Sequence, residues 1–338
     1  MPRCLVFALS LLCLALIGAC GPAPTPPRIA PPVALVASAT SPPATSTLPP
    51  GPTAQSPTVT PIAQPGKTPT SGVEPPRVGV QVGHWKLKEL PEELAKIRGD
   101  SGAYYRGYDE WEINIEIATR LQRRLEAAGV IVDLLPATIP VAYQADAFIS
   151  IHCDGVGGEL AAKRRGWKAA TPFRASPAAE ALLEAVEDSY GRVTGLPRDT
   201  RGASFDMRAY YAFASYRHQH AIAPTTPAII VETGFMTHPA DRALLFDTPD
   251  LVAQGIAEGL LAFLSTRGAA TIQPLALPTL RVAAGVTLFE RPSRSAGVVR
   301  KLAASEPLVT LSQTDGWYLV TTRAGWDIGW VSAQDVET

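Results

Sequence analysis

The chain has 338 residues, enough for one large or two modest domains plus extensions. Its formal net charge is -1 and no long basic run appears, which excludes nucleic acid as the main partner, because phosphate binding needs clustered Lys and Arg. Of the 4 cysteines, Cys4, Cys13 and Cys20 lie at the extreme N-terminus and Cys153 stands alone, so no disulfide framework supports the rest.

Arg3 gives a weakly basic start, followed by an apolar run from Leu5 to Ile17 that is too short for a comfortable membrane span. Small residues follow it, the pattern of an export signal over residues 1–20. Ile17-Gly18-Ala19-Cys20 resembles a bacterial lipobox, in which Cys20 becomes the lipidated first residue of the mature chain. The other reading is an ordinary signal peptide cut near Ala19. Lipidation of Cys20 supplies more than one acyl chain, which stable membrane attachment requires. The expected location is therefore outside the cytoplasm, lipid-anchored to the cell envelope.

Residues 21–76 hold 17 of the 32 prolines, no aromatic residue, and only Arg28, Lys67 and Glu74 as charges. Such a segment cannot bury enough apolar surface to offset its ordering entropy, and proline keeps it extended. At about 3.1 Å per residue it reaches roughly 170 Å, a spacer suited to work on a polymer lying off the membrane. A linker without any tuned reach has the same composition.

From Arg77 onward, strand and helix patterns alternate. Strands are expected over residues 77–82 (RVGVQV), 130–135, 147–151 (AFISI) and 228–231 (AIIV), and helices over 108–129, 177–190 and 251–265. This alternation implies a mainly parallel α/β sheet with helices on both faces over residues 77–267. Residues 268–279 read as a second linker. Short, closely spaced strand candidates over residues 280–338 suggest a small all-β barrel.

Among the 5 histidines, His84 and His152 directly follow expected strands. Residues at the carboxyl ends of parallel strands line the ligand crevice, so two imidazoles there can share a metal, or each can be a structural histidine. In the helix of residues 108–129, Ile113, Ile117, Leu121, Leu125 and Ala128 define the buried stripe, and Glu110 projects into its middle at about 100° per residue. A carboxylate there needs a partner; either the positive end of the helix dipole or a metal supplies one. Glu232 ends the buried strand AIIV and also points into the crevice. A nearby metal, or a water that it deprotonates, gives it a reason to be ionised. Two His and one Glu form a known catalytic zinc set with a fourth position left to water.

These residues resemble the zinc-dependent N-acetylmuramoyl-L-alanine amidases, of the type paired with cell-wall-binding modules. The resemblance covers residues 77–267. It rests on Gly83-His84, on Glu110-Trp111-Glu112-Ile113-Asn114-Ile115, on Ser150-Ile151-His152, and on the run from Val231-Glu232-Thr233-Gly234-Phe235 to His238-Pro239. It implies one Zn2+ ion held by His84, Glu110 and His152, Glu232 as the catalytic residue, and peptidoglycan as substrate. The implied reaction is hydrolysis of the amide between N-acetylmuramic acid and the L-alanine of the stem peptide, by an enzyme facing the cell wall. The chain departs from the family at Gln81-Val82-Gly83-His84-Trp85-Lys86, where Asp-Pro-Gly-His-Gly-Gly is usual, at Cys153, and in a long charged stretch over residues 86–106.

Residues 280–338 resemble a bacterial SH3-like domain through Gly316-Trp317-Tyr318-Leu319-Val320 and Gly329-Trp330-Val331. The resemblance implies binding to wall peptides or glycans; the aromatic residues are equally candidates for barrel core. Cys153 beside His152 is no nucleophile–base pair, since neighbours on a strand point to opposite faces. His218 and His220 are expected in a polar loop, and His238 in the turn after Glu232. Arg201, Asp206, Arg208, Tyr210 and Tyr211 are unranked candidates for substrate contact, Arg suiting peptide carboxylates and aromatic faces suiting sugars. Two other functions share these features: a zinc peptidase of the same fold cutting another wall amide, and a non-catalytic wall-binding lipoprotein.

Overall fold

The computed structural model describes residues 74–303, 306–322 and 327–337. The export signal, Cys20 and nearly all of the first tether lie outside the described residues. Within them, β1 (Arg77–Val82) leads into the two-residue strands β2 (Tyr104–Tyr105) and β3 (Tyr108–Asp109) and then into helix α1 (Glu110–Ala127). Asp109 is the N-cap of α1, and its amide donates to Glu112 Oε2 at 2.9 Å, one arm of a capping box. Gly129, at φ 82°, lies just beyond its end. Next come β4 (Ile131–Leu135), β5 (Ala147–Asp154), β6 (Lys168–Ala170) and α2 (Pro177–Thr194). The Ser176 hydroxyl caps α2 by accepting from the Ala179 amide at 3.1 Å, and Gly195 stops it in the left-handed region at φ 64°. The short α3 (Phe205–Arg208), β7 (Ala228–Phe235), α4 (Pro239–Asp247) and α5 (Pro249–Ser265) complete this part.

The sheet has the order β4-β1-β5-β7-β6. Its first four strands are parallel and only the edge strand β6 runs antiparallel, against β7. One face is covered by α1, α2 and α5, whose apolar stripes meet Val78, Val80, Val82, Ile149, Ile151, Ile229 and Val231 in the main core. Leu121, Leu125, Leu182 and Leu260 are fully buried there; burial of each such side chain contributes about 1.5–3 kcal/mol. The opposite face carries a smaller cluster of Leu90, Leu94, Ile139, Tyr143, Phe148 and Tyr211. Short helices cover it: the 3-10 turns Leu87–Glu89, Glu92–Ile97 and Tyr211–Phe213, with α3. Helices therefore lie on both faces, the long ones on one side only.

Beyond Ser265 the chain builds an antiparallel sheet from β8 (Thr279–Val282), β9 (Thr287–Phe289), β10 (Val298–Lys301), β11 (Leu308–Thr314), β12 (Trp317–Thr322), β13 (Ile328–Ser332) and β14 (Val336–Glu337). The strand order is β10-β9-β13-β12-β11-β8-β14. Its core is aliphatic, made by Leu280, Leu288, Leu302, Leu308, Val320 and Val331. Tyr318 packs against that core. Trp317 stacks edge-on with Phe289, ring centres 5.8 Å apart, and Trp330 stays half-buried beside a groove. Core is thus the role of the aliphatic residues rather than of the two tryptophans.

Candidate active site

Parallel strands deliver their carboxyl ends to one edge, and four of the singled-out side chains stand there. His84 follows β1 after Gly83, in the left-handed region at φ 60°. A non-glycine residue rarely sits there without surrounding structure to hold it. His152 lies near the end of β5, and register pairs it with Glu232 on β7. Because side chains alternate along a strand, Ile149, Ile151 and Cys153 enter the helix-side core, whereas His152 takes the other face. Cys153 is 1% exposed, and burial, reinforced by the charges of Glu110, Glu232 and Asp154, pushes its thiol pKa well up. Such a thiol has little thiolate with which to act.

Glu110, in the first turn of α1, reaches the same edge from the helix layer. Its Oε1 lies 3.0 Å from His152 Nδ1 and its Oε2 lies 3.5 Å from His84 Nε2. Oε2 accepts the Ala103 amide at 2.8 Å; Oε1 accepts the Cys153 amide and the Asn114 side-chain amide, each at 3.1 Å. Burial alone raises the pKa of such a carboxyl. The hydrogen bond and charge of His152, the charge of His84 and the Ala103 amide outweigh burial and hold it at about 2.

One ligand atom from each of His84, Glu110 and His152 lies within 4.8 Å of the others. The remaining ring nitrogens are occupied in the way a metal site requires. His84 Nδ1 lies 2.6 Å from the Asp100 carbonyl, which only accepts, so this nitrogen donates and Nε2 is the free ligand. For His152 the argument runs through Gln81. Its Nε2 donates to the Ala137 carbonyl at 3.1 Å and to the Tyr211 hydroxyl at 2.9 Å, so its Oε1 accepts from Ser150 at 2.7 Å and from Tyr210 at 3.1 Å. With its proton given to Gln81, the Tyr210 hydroxyl accepts from His152 Nε2 at 3.1 Å, so Nδ1 is the nitrogen that faces Glu110. Two imidazoles and one carboxylate are a donor set that fits a divalent cation such as zinc. A cavity of about 260 Å³ opens onto the two histidines, bordered also by Asp100, Asp206, Tyr210 and Arg217.

Glu232 stands outside the trio, between two neighbours on flanking strands: register pairs it with His152 on β5 and with Lys168 on β6. It is half-buried by exposure. Burial, followed by the charges of Asp154 and Glu110, pushes its pKa well above the usual carboxylate range, and Lys168 only partly offsets this. Lys168 Nζ itself sits 2.6 Å from Asp154 Oδ2 and 3.6 Å from Asp199 Oδ2.

The remaining candidates separate. Tyr210, Tyr211 and Asp206 border the cavity, and Arg208 lies in an adjoining recess. Arg201 borders neither. His220 Nδ1 lies 2.7 Å from Glu93, which also accepts the His220 and Gln219 amides at 2.8 and 3.0 Å. His238 caps α4 and lies 3.5 Å from Asp241. The charged stretch at residues 86–106 supplies Asp100 and Ala103, two contacts to the trio that residue type alone did not single out.

The sheet and the trio define an α/β domain with a candidate metal centre at its carboxyl edge. Residues 95–262 match the N-acetylmuramoyl-L-alanine amidase family, and residues 284–337 match the bacterial SH3 domain. The chain carries a peptidoglycan amidase domain followed by a bacterial SH3 domain. Glu110, His152 and Glu232 fall within the matched residues, whereas His84 precedes them. No curated protein matches the chain in sequence. Similar solved structures include an N-acetylmuramoyl-L-alanine amidase from Clostridium difficile 630, 19% identical with TM-score 0.42, covering 58% of this chain and 100% of that one. The catalytic domain of the amidase CwlV from Bacillus (Paenibacillus) polymyxa var. colistinus is 23% identical with TM-score 0.41, over 56% and 98% of the two chains. The amidase Ami1 from Mycobacterium smegmatis is 19% identical with TM-score 0.42, over 58% and 100%.

Proposed function

We propose that the chain hydrolyses the amide between the lactyl group of N-acetylmuramic acid and the L-alanine of the stem peptide, with His84, Glu110 and His152 holding one zinc ion. The observation that carries the reading is the convergence of those three side chains with Glu232 in register beside His152. Zinc, when bound, supplies Lewis-acid polarisation of the scissile carbonyl and lowers the pKa of water to about 7. The protein's own groups do the rest. Asp100 and Tyr210 fix the two imidazoles by accepting their outer N–H groups. Glu232 is the catalytic residue: its carboxylate takes a proton from the attacking water and returns it to the leaving alanine nitrogen. A carboxyl whose pKa burial has raised is suited to hold that proton between the two steps.

The location follows from the same reading. A peptidoglycan amidase with an SH3 domain works outside the cytoplasm at the wall, and among the described residues no helix is long and apolar enough to cross a membrane. Export through residues 1–20, a lipid anchor on Cys20 and a proline-rich spacer over residues 21–76 are the arrangement we propose for reaching that polymer. Residues 77–267 then form the catalytic unit, residues 268–279 a linker and residues 280–338 the SH3-like unit.

The test uses purified peptidoglycan with chelator-treated and zinc-restored protein and a Glu232→Gln variant. Zinc-dependent release of peptides carrying a new N-terminal alanine, reduced about 10²–10⁴-fold in the variant, is the expected result. A different new terminus would instead make the chain a peptidase, and wall binding without release would make it a non-catalytic binder.

A further inference from the structure

The SH3-like domain is more than an appendage here, because it walls the space that leads to the candidate metal centre. Ile328 of β13 borders the cavity that holds His84 and His152. The same Ile328 borders a groove of about 490 Å³ between the two domains. The catalytic side of that groove presents Phe173, Phe205 and Arg208; the SH3-like side presents Glu290, Ser312 and Trp330. A third recess links both spaces by a second route, sharing Ala209 and Tyr210 with the cavity and Phe173 and Arg208 with the groove.

The chemistry of this groove is specific. Phe205 is 45% exposed, its ring centre is 5.1 Å from that of Phe173, and the Arg208 guanidinium lies 4.7 Å above the Phe173 ring. Trp330 on the facing sheet is half-buried. Flat aromatic surfaces flanked by one cation, one carboxylate and one hydroxyl suit a ligand with apolar C–H faces and a rim of hydroxyl and amide groups, which describes a pyranose chain. The groove also leaves the cavity where a polymeric substrate must run on, since the cavity of about 260 Å³ holds only the residues around the cut bond.

We propose that this interdomain groove is a binding site for the glycan strand of the substrate, extending the active-site cavity across Phe173, Phe205, Arg208, Glu290, Ser312 and Trp330. The assignment deepens the reading of the chain as an amidase and rests on it for the identity of the polymer. It gives the SH3-like domain a place in positioning substrate at the cut site, in addition to any hold on the wall at a distance.

The test measures binding of peptide-free glycan strands of alternating N-acetylglucosamine and N-acetylmuramic acid to the full chain, by isothermal titration, alongside release of peptides from whole peptidoglycan. Phe205→Ala removes an exposed ring, and Ser312→Arg fills the groove from the SH3-like side without touching either core. Each is expected to weaken strand binding at least about tenfold and to raise KM on whole peptidoglycan, with Phe205→Tyr restoring both. Absence of strand binding by the unaltered chain overturns the proposal, as does equal binding by all variants. Strand binding that the variants abolish, in a chain that releases no alanine-terminated peptide, keeps the groove and overturns the amidase reading instead. Strand binding lost equally in Phe205→Ala and Phe205→Tyr also overturns the proposal, because a stacking role survives that exchange.

Discussion

His152 and Tyr210 meet ring to hydroxyl, with His152 Nε2 3.1 Å from the Tyr210 oxygen and the two rings edge-on at 5.3 Å. The Tyr210 proton is committed to Gln81, so the contact orients the His152 ring with Nδ1 turned toward Glu110. Tyr210→Phe keeps the ring and removes this acceptor. Loss of an outer partner of a metal-ligating histidine typically costs 10–100-fold in metal affinity. The expected outcome is a zinc affinity about 10–100-fold weaker in competition with a chromophoric chelator, with an unchanged fold by circular dichroism. Unchanged affinity would show that Tyr210 plays no part in orienting the ligand.

Gly102 stands against the trio from the other side. A Cβ at this position falls on Glu110 Oε2 and 2.7 Å from His84 Cδ2, and its φ of 71° strains any side chain. Backbone must therefore pass here without a side chain for Glu110 and His84 to share one centre. Gly102→Ala is expected to lower activity by more than tenfold through loss of bound zinc, measured as metal content after dialysis. The left-handed strain adds about 1–2 kcal/mol of destabilisation, read from the urea midpoint. Full zinc content with unchanged stability would contradict the close approach.

The uneven legibility of the site has a physical basis. In the sequence, His84, His152 and Glu232 follow apolar strand-like runs and Glu110 breaks a helical stripe, so the pattern marks each as a candidate. The main strands and the long helices α1, α2 and α5 were legible for the same reason, with ends off by a few residues: β7 runs to Phe235 rather than stopping at Val231, and α2 runs to Thr194, whereas the nine-residue α4 and the short β2, β3 and α3 were not read. Asp100, Gly102 and Ala103 act through a carbonyl, a missing side chain and an amide, which no residue-type pattern reports. Lys168 lies on a three-residue edge strand that leaves no periodic trace. Tyr210 looked the same as its neighbours Arg208 and Tyr211, because only the folded loop decides which one meets His152. The tryptophans of the SH3-like sheet were ambiguous in sequence for a similar reason, since Leu, Val and Trp all satisfy a strand pattern.

Glu93 gives a pH dependence away from the metal site. Burial raises its pKa, but the amide hydrogens of His220 and Gln219 and the His220 side chain outweigh this and hold it below the usual carboxylate value. A folded-state pKa below the unfolded one contributes stability at pH values above the unfolded pKa, and that stability is lost as pH falls through the folded pKa. Glu93→Gln is therefore expected to lower stability near pH 7 by about 1 kcal/mol, a modest figure for charge-assisted bonds at a part-exposed site. The difference from the unaltered chain should begin to shrink as pH falls below the unfolded carboxylate value, near pH 4, and vanish only below the lower folded value. Urea midpoints across that range check it; a difference that persists at low pH would assign the effect to packing rather than charge.

Arg217 connects the loop that Glu93 anchors to the SH3-like domain. Its guanidinium donates to the Thr321 hydroxyl and, at 3.1 Å, to the Thr322 carbonyl, both on β12. Burial lowers its pKa, against the charges of Tyr216 and Asp327, yet an arginine stays charged under any working condition. The half-buried cation is thus held by oxygen acceptors from the neighbouring domain, and removing it strips those acceptors of a strong donor. Arg217→Ala is expected to cost about 1–3 kcal/mol of domain docking, with Arg217→Lys recovering part of it because a single ammonium cannot reproduce the planar fork. Limited proteolysis reads this directly. Cleavage within residues 268–279 should speed up in Arg217→Ala by about the factor of ten that 1.4 kcal/mol represents, while cleavage within the catalytic sheet should not. Equal proteolysis of the two proteins would mean that the domains stay docked without this contact and that other parts of the interface set their placement.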